Sequence, residues 1–259
     1  MKYNNDETFQ WKSKDKRFIC FMDILGFKDY VMSNTLETVY KRLKTLLKYA
    51  PSKSGNDREK NKLARQDSVK ELLSVTVFSD SIIIISKDDS MTSFRIFSAY
   101  LSRFLYQALL EKIPIKGAMA YGEMYAEKSN ENQITCGQPM IDAYLMEEDL
   151  QYMGIGVHHS IENYIRNLSN EILDNDVYCK NKEGRDLLLN TYKELKTPLK
   201  GGFLNHTNID IYHFNKEGDL EHMKNIINEF KYTMTGIARK YIDNTLFVLE
   251  QMKKIRDSY

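Results

Sequence analysis

Two apolar runs that each meet a single aspartate dominate the hydrophobic pattern of the chain. The run Phe18–Met22 leads into Asp23 and is followed by a Gly-Phe turn, and further along Val75–Phe78 and Ile82–Ile85 flank Asp80. Short apolar runs that are rich in Ile, Val and Phe and bounded by turn residues are typical of buried strands. The pattern therefore predicts one strand that ends at Asp23 and a hairpin of two strands with Asp80 at its tip.

Helical periodicity alternates with these strands. Apolar residues recur at three- and four-residue steps over 36–49 and 94–111, and a proline follows each segment. The other predicted elements are strands at about 17–25, 71–87 (the hairpin), 115–126, 133–137 and 154–158, a helix at 140–151 and a last strand pair near 199–202 and 209–214. The order strand, helix, two strands, helix, strand is the βαββαβ plan of ferredoxin-like folds. We expect an α/β (α+β) fold with a mixed, mainly antiparallel sheet.

The C-terminal part of the chain has a pattern of its own. From about 219 to 256 the apolar residues follow alternating four- and three-residue steps, which predicts one long helix. The seam of that helix fits two alternatives, docking on its own domain or a coiled coil. The pattern divides the chain into an N-terminal arm (1–16), a main domain (17–215) and a C-terminal helical extension (216–259); no role is assigned to 160–196.

Composition and charge limit the class of protein. The 259 residues include 37 basic and 36 acidic side chains, so no global field attracts nucleic acid or an anionic membrane. The polar N-terminus lacks a signal-peptide pattern, and no apolar run is long enough to span a bilayer. Three cysteines without metal-ligand spacing, Cys20, Cys136 and Cys179, indicate reduced thiols, with Cys20 and Cys136 in strand-like sequence and thus in the core. We expect a cytoplasmic protein with no nucleic-acid or membrane partner.

The two aspartates are the first candidates for chemistry. In a βαββαβ sheet the first strand and the hairpin lie side by side, so Asp23 and Asp80 can meet at one sheet edge. A carboxylate at the end of a buried strand loses water and needs a cation, hydrogen-bond donors or a metal. For either aspartate alone, a turn or cap role is the favoured interpretation. The pair together predicts a site for divalent cations.

Five short segments, taken in order, resemble the motifs of class III nucleotidyl cyclases. The segments are Phe21–Phe27, Phe78–Ser81, Ala120–Glu123, Gly137–Glu147 and Leu199–Gly201, which together span most of the chain. Each motif is weak by itself, and the signal comes from their shared order and spacing. The resemblance implies the class III cyclase domain and its reaction, in which a nucleoside triphosphate becomes a 3′,5′-cyclic nucleotide and pyrophosphate.

The resemblance also implies which residues hold the metals and phosphates. Asp23, Asp80 and the carbonyl of Ile24 would bind two Mg²⁺ or Mn²⁺ ions per active site. Backbone N–H groups of Gly26 and Phe27 would hold the β- and γ-phosphates.

Two further basic residues are candidate phosphate contacts. Lys200 matches the triphosphate-binding lysine of the family, with a solvated turn lysine as the alternative. Arg65 is a weaker candidate, with plain surface charge as its alternative.

The chain also departs from the family pattern. The base-reading positions of purine cyclases fall on Thr76 and Ile134, and isoleucine neither donates nor accepts a hydrogen bond. The transition-state Asn and Arg of the family fall on Ile141 and Leu145, which cannot stabilise developing charge. Two explanations stay open: a catalytically degenerate relative, or a branch with a different second half of the site.

A second resemblance favours a branch of the family with a different second half of the site. The sequence Ala143-Tyr144-x-x-Glu147 resembles the pyrimidine cyclases of Pycsar anti-phage systems, which make cyclic CMP or cyclic UMP. On that resemblance Tyr144 contacts the nucleotide, while helical periodicity alone makes it a core residue. The neighbouring Glu147 to Asp149 stretch is expected on the helix surface.

The preferred prediction is therefore a homodimeric nucleotidyl cyclase with CTP or UTP as substrate and active sites at the subunit interface. Its product would act on a separate effector in phage defence. The alternatives are a cyclase-like module that binds nucleotide or dimerises without turnover, and a purine cyclase. A nucleic-acid enzyme with a polymerase-like palm fits the same plan but not the near-zero net charge.

Overall fold

The structure is a computed structural model that describes residues 11–48, 72–128, 133–176, 191–211, 219–232 and 236–258, with residues 182, 185, 188 and 234. The strands are β1 (Lys14–Ile24), β2 (Leu73–Phe78), β3 (Ser81–Ser86), β4 (Ile115–Lys128), β5 (Gln133–Cys136), β6 (Ile155–Val157), β7 (Tyr192–Leu199) and β8 (Gly202–Ile209). The helices are α1 (Phe27–Ser33), α2 (Leu36–Lys48), α3 (Met91–Leu110), α4 (Gln138–Asp149), α5 (His159–Arg166), α6 (Asn170–Asn175), α7 (Asp219–Glu229) and α8 (Arg239–Asp257). Two 3₁₀ turns, Phe230–Tyr232 and Gly236–Ala238, separate the last two helices.

The strand order confirms the predicted plan. The sheet runs β2-β3-β1-β4-β6-β8-β7, with β5 paired to β4 outside this path. Strand β1 lies between β3 and β4 and is antiparallel to both, which is the ferredoxin-like arrangement. Strand β6 adds to β4 in parallel, and the antiparallel pair β7 and β8 extends the sheet beyond it.

The two faces of the sheet are covered differently, which decides where the site lies. Phe18, Cys20 and Met22 of β1 point into the main core with the buried side of α3. The alternate positions, Ile19 and Phe21, face a smaller cluster under α4. Because side chains alternate along a strand, Asp23 lies on the face that α4 partly covers.

The long C-terminal helix is present as α8, but the single helix predicted over 219–256 is wrong in one respect. The two 3₁₀ turns interrupt it, and Gly236 there has a left-handed φ of 59°. Helix α8 docks on its own domain: Asn244 donates to the carbonyl of Gln151 at 2.7 Å, and Met153 N–H donates to Thr245 Oγ1 at 2.8 Å. Within the described residues, docking therefore accounts for the apolar seam.

The cysteine prediction is confirmed at one position and wrong at another. Cys20 is buried in the core, whereas Cys136 is exposed because β5 pairs with β4 alone. Cys179 lies outside the described residues. No helix in the described ranges is long and apolar enough to cross a membrane.

Ser79, in the turn of the β2–β3 hairpin, adopts a left-handed φ of 58°. This conformation costs a residue with a Cβ about 1–2 kcal/mol, and glycine pays no such penalty. We expect Ser79→Gly to raise the free energy of unfolding by up to about 1 kcal/mol and Ser79→Val to lower it by about 1–2 kcal/mol, measured by urea unfolding. Ser74, inside β2, is the matched control, where Gly should destabilise and Val should not. A Ser79→Val protein more stable than Ser79→Gly would contradict the argument.

Candidate active site

Asp23 and Asp80 lie at the same end of the sheet. Asp23 is the penultimate residue of β1 and stands opposite Ser81 of β3. The backbone N–H of Ile24 donates to the carbonyl of Asp80 at 3.0 Å, which ties the hairpin turn to the end of β1. Both aspartates are half-buried. Two residues 57 positions apart in the chain therefore come together, one at the end of β1 and the other in the adjoining β2–β3 turn.

A buried ion pair lies beside Asp23. Lys116 is the register partner of Asp23 on β4, and its Nζ is 2.9 Å from Glu147 Oε1 of α4, with both side chains less than a tenth exposed. The same Nζ donates to the carbonyl of Glu147 at 2.9 Å. The prediction of Glu147 on a helix surface is wrong, because α4 packs across β1 and β4 and turns this residue inward.

The sequence analysis missed Lys116 as part of the site. It interrupts an otherwise apolar stretch, Ile113–Ala120, that becomes fully buried in the structure. A lysine in a buried strand requires an anionic partner, because desolvation of an unpaired ammonium group is costly. That signal was present in the sequence, but it does not say which carboxylate is the partner.

The electrostatics of the site are those of an anionic cluster. The pKa of Asp23 is raised from its ordinary 3.8 to about 6, first by burial and then by the negative charges of Glu147 and Asp80. Lys116 lowers that pKa, but its ammonium group is in contact with Glu147. The described residues give Asp23 no salt bridge of its own. The cluster thus carries more negative charge than Lys116 compensates.

The raised pKa of Asp23 predicts a pH dependence of stability. The folded protein binds the Asp23 proton more tightly than the unfolded chain, so this group's contribution to the free energy of unfolding falls as pH rises from about 4 to about 6. We expect Asp23→Asn to remove that dependence and to be about 1–2 kcal/mol more stable than wild type at neutral pH, after solvent screening. Urea unfolding at about pH 4.5 and about pH 7 measures it.

Asp243→Asn, an exposed carboxylate on α8, serves as the control for this measurement and should keep the wild-type pH profile. A stability difference between wild type and Asp23→Asn that is the same at both pH values would show that Asp23 titrates normally.

The donor set at this sheet end suits a hard divalent cation. It comprises two carboxylates and the Ile24 carbonyl, all oxygen, which is the ligand type that Mg²⁺ and Mn²⁺ prefer. Within the described ranges no group of three or more His, Cys, Asp and Glu side chains could hold a metal. The residues fit an ion whose remaining ligands come from substrate phosphates or water.

The turn after β1 has the geometry expected of a tight connection. Gly26 adopts a left-handed φ of 71° just before α1, a conformation that disfavours residues with a Cβ. Its carbonyl accepts the N–H of Tyr30 at 3.0 Å and starts the helix. Phe27 follows as the first residue of α1 and is half-buried. The turn thus lies one residue beyond Ile24, next to the two aspartates.

Tyr144 and Lys200 converge on one carboxylate. Tyr144 stands edge-on to Phe21 with ring centroids 5.4 Å apart, and its hydroxyl donates to Glu148 Oε1 at 3.2 Å. That hydrogen bond raises the pKa of Tyr144. Lys200, in the β7–β8 turn, places Nζ 3.9 Å from Glu148 Oε2. Tyr144 is 43% exposed, so the alternative of a core residue is wrong, and it lies on the face that carries Asp23.

The two candidate base-reading positions are far apart. Thr76 of β2 pairs with Ile83 of β3, and Ile83 pairs with Phe21 of β1. Thr76 is therefore level with Phe21, two residues before Asp23. Ile134 pairs with Glu127, eleven residues along β4 from Lys116, a separation of roughly 36 Å at 3.3 Å per residue. Arg65 lies outside the described residues.

An apolar surface surrounds the site. Four apolar side chains on the hairpin and α4 are 43–79% exposed: Phe78, Ile141, Tyr144 and Leu145. Ile134 on β5 is also exposed but lies far along β4 from them. Contiguous exposed apolar surface marks a protein or ligand contact more often than it marks free surface. Ile141 and Leu145 of α4 belong to this surface.

Comparisons with known proteins gave matches to solved structures alone. A bacterial light-regulated adenylyl cyclase is similar at 11% identity and a TM-score of 0.44, over 84% of this chain and 99% of that chain. The catalytic core of a rhodopsin-guanylyl cyclase with converted specificity, in complex with ATPαS, is similar at 12% identity and a TM-score of 0.47, over 76% and 96%. The guanylyl cyclase domain of the RhoGC fusion protein from Blastocladiella emersonii is similar at 12% identity and a TM-score of 0.46, over 60% of this chain and 86% of that chain.

No protein-family model matches the chain, and no curated protein matches it in sequence. At identities of 11–12% and TM-scores of 0.44 to 0.47, the structural matches do not assign a function.

Proposed function

We propose that this protein is a metal-dependent nucleotidyl cyclase that converts a pyrimidine nucleoside triphosphate, CTP or UTP, into the 3′,5′-cyclic nucleotide and pyrophosphate. The observation that carries the proposal is the anionic cluster at the end of β1. Asp23 stands there at the end of β1 and Asp80 in the adjoining β2–β3 turn, both half-buried and without enough positive charge to balance them. Such a cluster is costly unless a cation binds to it.

The proposed reaction forms one bond to phosphorus and breaks another. The ribose 3′-hydroxyl loses its proton, its oxygen forms a bond to the α-phosphorus, and the bond to pyrophosphate breaks. Two Mg²⁺ or Mn²⁺ ions, when bound, would lower the pKa of that hydroxyl and screen the phosphate charge. Asp23, Asp80 and the Ile24 carbonyl would hold the ions, and the Gly26 and Phe27 N–H groups would orient the β- and γ-phosphates.

A homodimer with sites at the subunit interface is part of the proposal. Thr76 lies near Asp23, but Ile134 is roughly 36 Å along β4, so one chain cannot bring both to the same nucleotide. A two-fold axis across the exposed apolar surface would place one copy's β5 near the other copy's aspartates. Phe78, which is 79% exposed beside the site, supports burial by a second copy.

The pyrimidine preference is inferred from what the site lacks and what it offers. Ile134 cannot form the hydrogen bond that a purine reader makes, whereas the hydroxyls of Thr76 and Tyr144 lie on the face of Asp23. Lys200 sits at the other side of Glu148, within reach of a phosphate that approaches α4. With the likeness to Pycsar cyclases, this supports a cytoplasmic enzyme whose product activates a separate effector in phage defence.

A second candidate is a module that binds nucleotide without turnover. It is favoured by Ile141 and Leu145, which are exposed and apolar where the family places charge-stabilising residues. The cyclase and the binding module would both bind nucleotide, but only the cyclase would form a cyclic product.

Incubation of the full chain with each of the four nucleoside triphosphates and Mn²⁺, followed by chromatography, separates the candidates. We expect cyclic CMP or cyclic UMP and pyrophosphate in equal amounts. Cyclic AMP or cyclic GMP as the main product would replace the pyrimidine preference with a purine cyclase. Nucleotide binding by calorimetry without any cyclic product would establish the binding module instead.

A further inference from the structure

A large cavity lies on the opposite side of the Gly26–Phe27 turn from the aspartates. Its volume is about 1050 Å³, and it lies between α1, α2, the α3–β4 connection (Lys112–Pro114), the 3₁₀ turns that follow α7 and the start of α8. Ile24 lines it, and the side chain of Ile24 belongs to the main core rather than to the face of Asp23. The cavity therefore adjoins the candidate active site and shares Ile24, Gly26 and Phe27 with it, but Asp23 and Asp80 do not line it.

The packing of α1 indicates that the cavity holds a ligand. None of the seven side chains of α1 is buried. Phe27 is partly buried against the main core and Tyr30 stacks under Arg42, and both rings also line the cavity, so the inner face of this helix is only partly covered. A helix gains most of its stability from burying one face, and an apolar occupant would supply that contact. The volume suits a small molecule, since ligand pockets usually measure about 300–1,000 Å³.

The charges of the cavity define the polar part of that ligand. Lys112 Nζ lies 2.5 Å from Glu229 Oε2, so these two lining residues neutralise each other. Arg42 stacks over the ring of Tyr30 with its guanidinium carbon 4.4 Å from the centroid, and it donates to the Lys112 carbonyl. Among the described residues no carboxylate pairs with Arg42, and most of its N–H donors remain available.

We propose that this cavity binds a small molecule with a flat apolar body and one anionic group, such as an aromatic carboxylate, sulfonate or phosphate. The body packs among the rings of Phe27 and Tyr30, and the anion accepts hydrogen bonds from Arg42. Asp29, the remaining lining carboxylate, is solvent-exposed, so water and salt screen its charge. The proposal goes beyond the proposed function and does not depend on it.

Two fluorescent probes test the ligand class. Anilinonaphthalene sulfonate carries an apolar ring system and one anion, and N-phenylnaphthylamine has the same rings without the anion. We expect one saturable sulfonate site per chain, and Arg42→Gln should weaken that binding about tenfold, the loss of one charge-assisted hydrogen bond. The affinity for the neutral probe should change by less than about twofold in Arg42→Gln. Lys41→Gln, an exposed neighbour on α2, is the control.

Two cavity-filling variants test the location. Ala238→Phe and Ser33→Phe add a ring from opposite walls, and each should abolish binding of both probes while cooperative urea unfolding shows that the fold is kept. Binding that survives both variants, an equal effect of Arg42→Gln and Lys41→Gln, or the absence of a saturable site would overturn the proposal.

A final comparison separates this site from the catalytic proposal. Asp23→Asn should bind the sulfonate probe as wild type does, because Asp23 is on the other face of the sheet. Amide hydrogen exchange should slow in α1 when the probe binds, notably at the Tyr30 N–H. Unchanged exchange in α1 at probe saturation would show that the probe binds elsewhere.

Discussion

Asp23→Asn and Asp80→Asn are each expected to lower the rate of cyclic nucleotide formation by about a thousandfold or more. The proposed ions contribute several kcal/mol to the transition state, and each 1.36 kcal/mol is a factor of about ten. Removal of either carboxylate leaves one side chain and the Ile24 carbonyl, too few anionic ligands to hold a pair of divalent cations. Initial rates at saturating Mn²⁺ and substrate measure the effect.

Electron paramagnetic resonance of Mn²⁺ supplies a readout that does not depend on turnover. Both variants should lose Mn²⁺ binding in the presence of nucleotide, while Asp243→Asn should match wild type in binding and in rate. Asparagine is nearly isosteric with aspartate, so the fold should persist, and Asp23→Asn should be more stable at neutral pH. Retention of full activity by either variant would falsify the metal assignment.

Lys116→Met is expected to lower the free energy of unfolding by about 3–5 kcal/mol. The substitution leaves Glu147 buried without its cation, close to Asp23, and an uncompensated buried charge is far more costly than an absent pair. The double variant Lys116→Met/Glu147→Leu should recover most of the loss, because apolar residues of similar volume often replace a buried ion pair without penalty. Urea unfolding of the two proteins at neutral pH measures this.

The surface pair Lys14–Glu123 is a matched control. It also joins β1 to β4, at 2.9 Å, but its side chains are 48% and 60% exposed. Lys14→Met should therefore cost less than about 1 kcal/mol. Equal losses from Lys116→Met and Lys14→Met would mean that burial does not set the strength of the inner pair.

Much of the fold could be predicted from local pattern. Apolar runs of about five residues mark β1 and the hairpin, and the helical steps in α2 and α3 fall where the structure has those helices. The strand order followed from the succession of elements, and that order by itself puts the end of β1, with Asp23, next to the β2–β3 turn, with Asp80. The C-terminal break was not predictable from periodicity, because the same spacing continues on both sides of Gly236.

The candidate site was harder to predict from local sequence pattern than the fold. Glu147, Glu148 and Asp149 form a charged stretch that is typical of a helix surface, yet Glu147 is buried and Glu148 joins Tyr144 to Lys200. Which of three adjacent acids turns inward depends on how α4 crosses the sheet. That angle is set by packing against β1 and β4, and no local period encodes it.

The amino-acid sequence by itself determined the strands from β1 to β6, the main helices, their succession and the meeting of two aspartates at one sheet end. The last strand pair, predicted near 199–202 and 209–214, was misplaced: the structure has β7 at Tyr192–Leu199 and β8 at Gly202–Ile209, with 199–202 as their turn. Alternation and helical spacing encode which residues share a face, and the connection order restricts which strands become neighbours. Only the tertiary structure decided the pairing of Lys116 with Glu147, the exposure of Ile141 and Leu145 and the cavity behind Gly26. Those features depend on distances between elements far apart in the chain, which arise when the whole core packs.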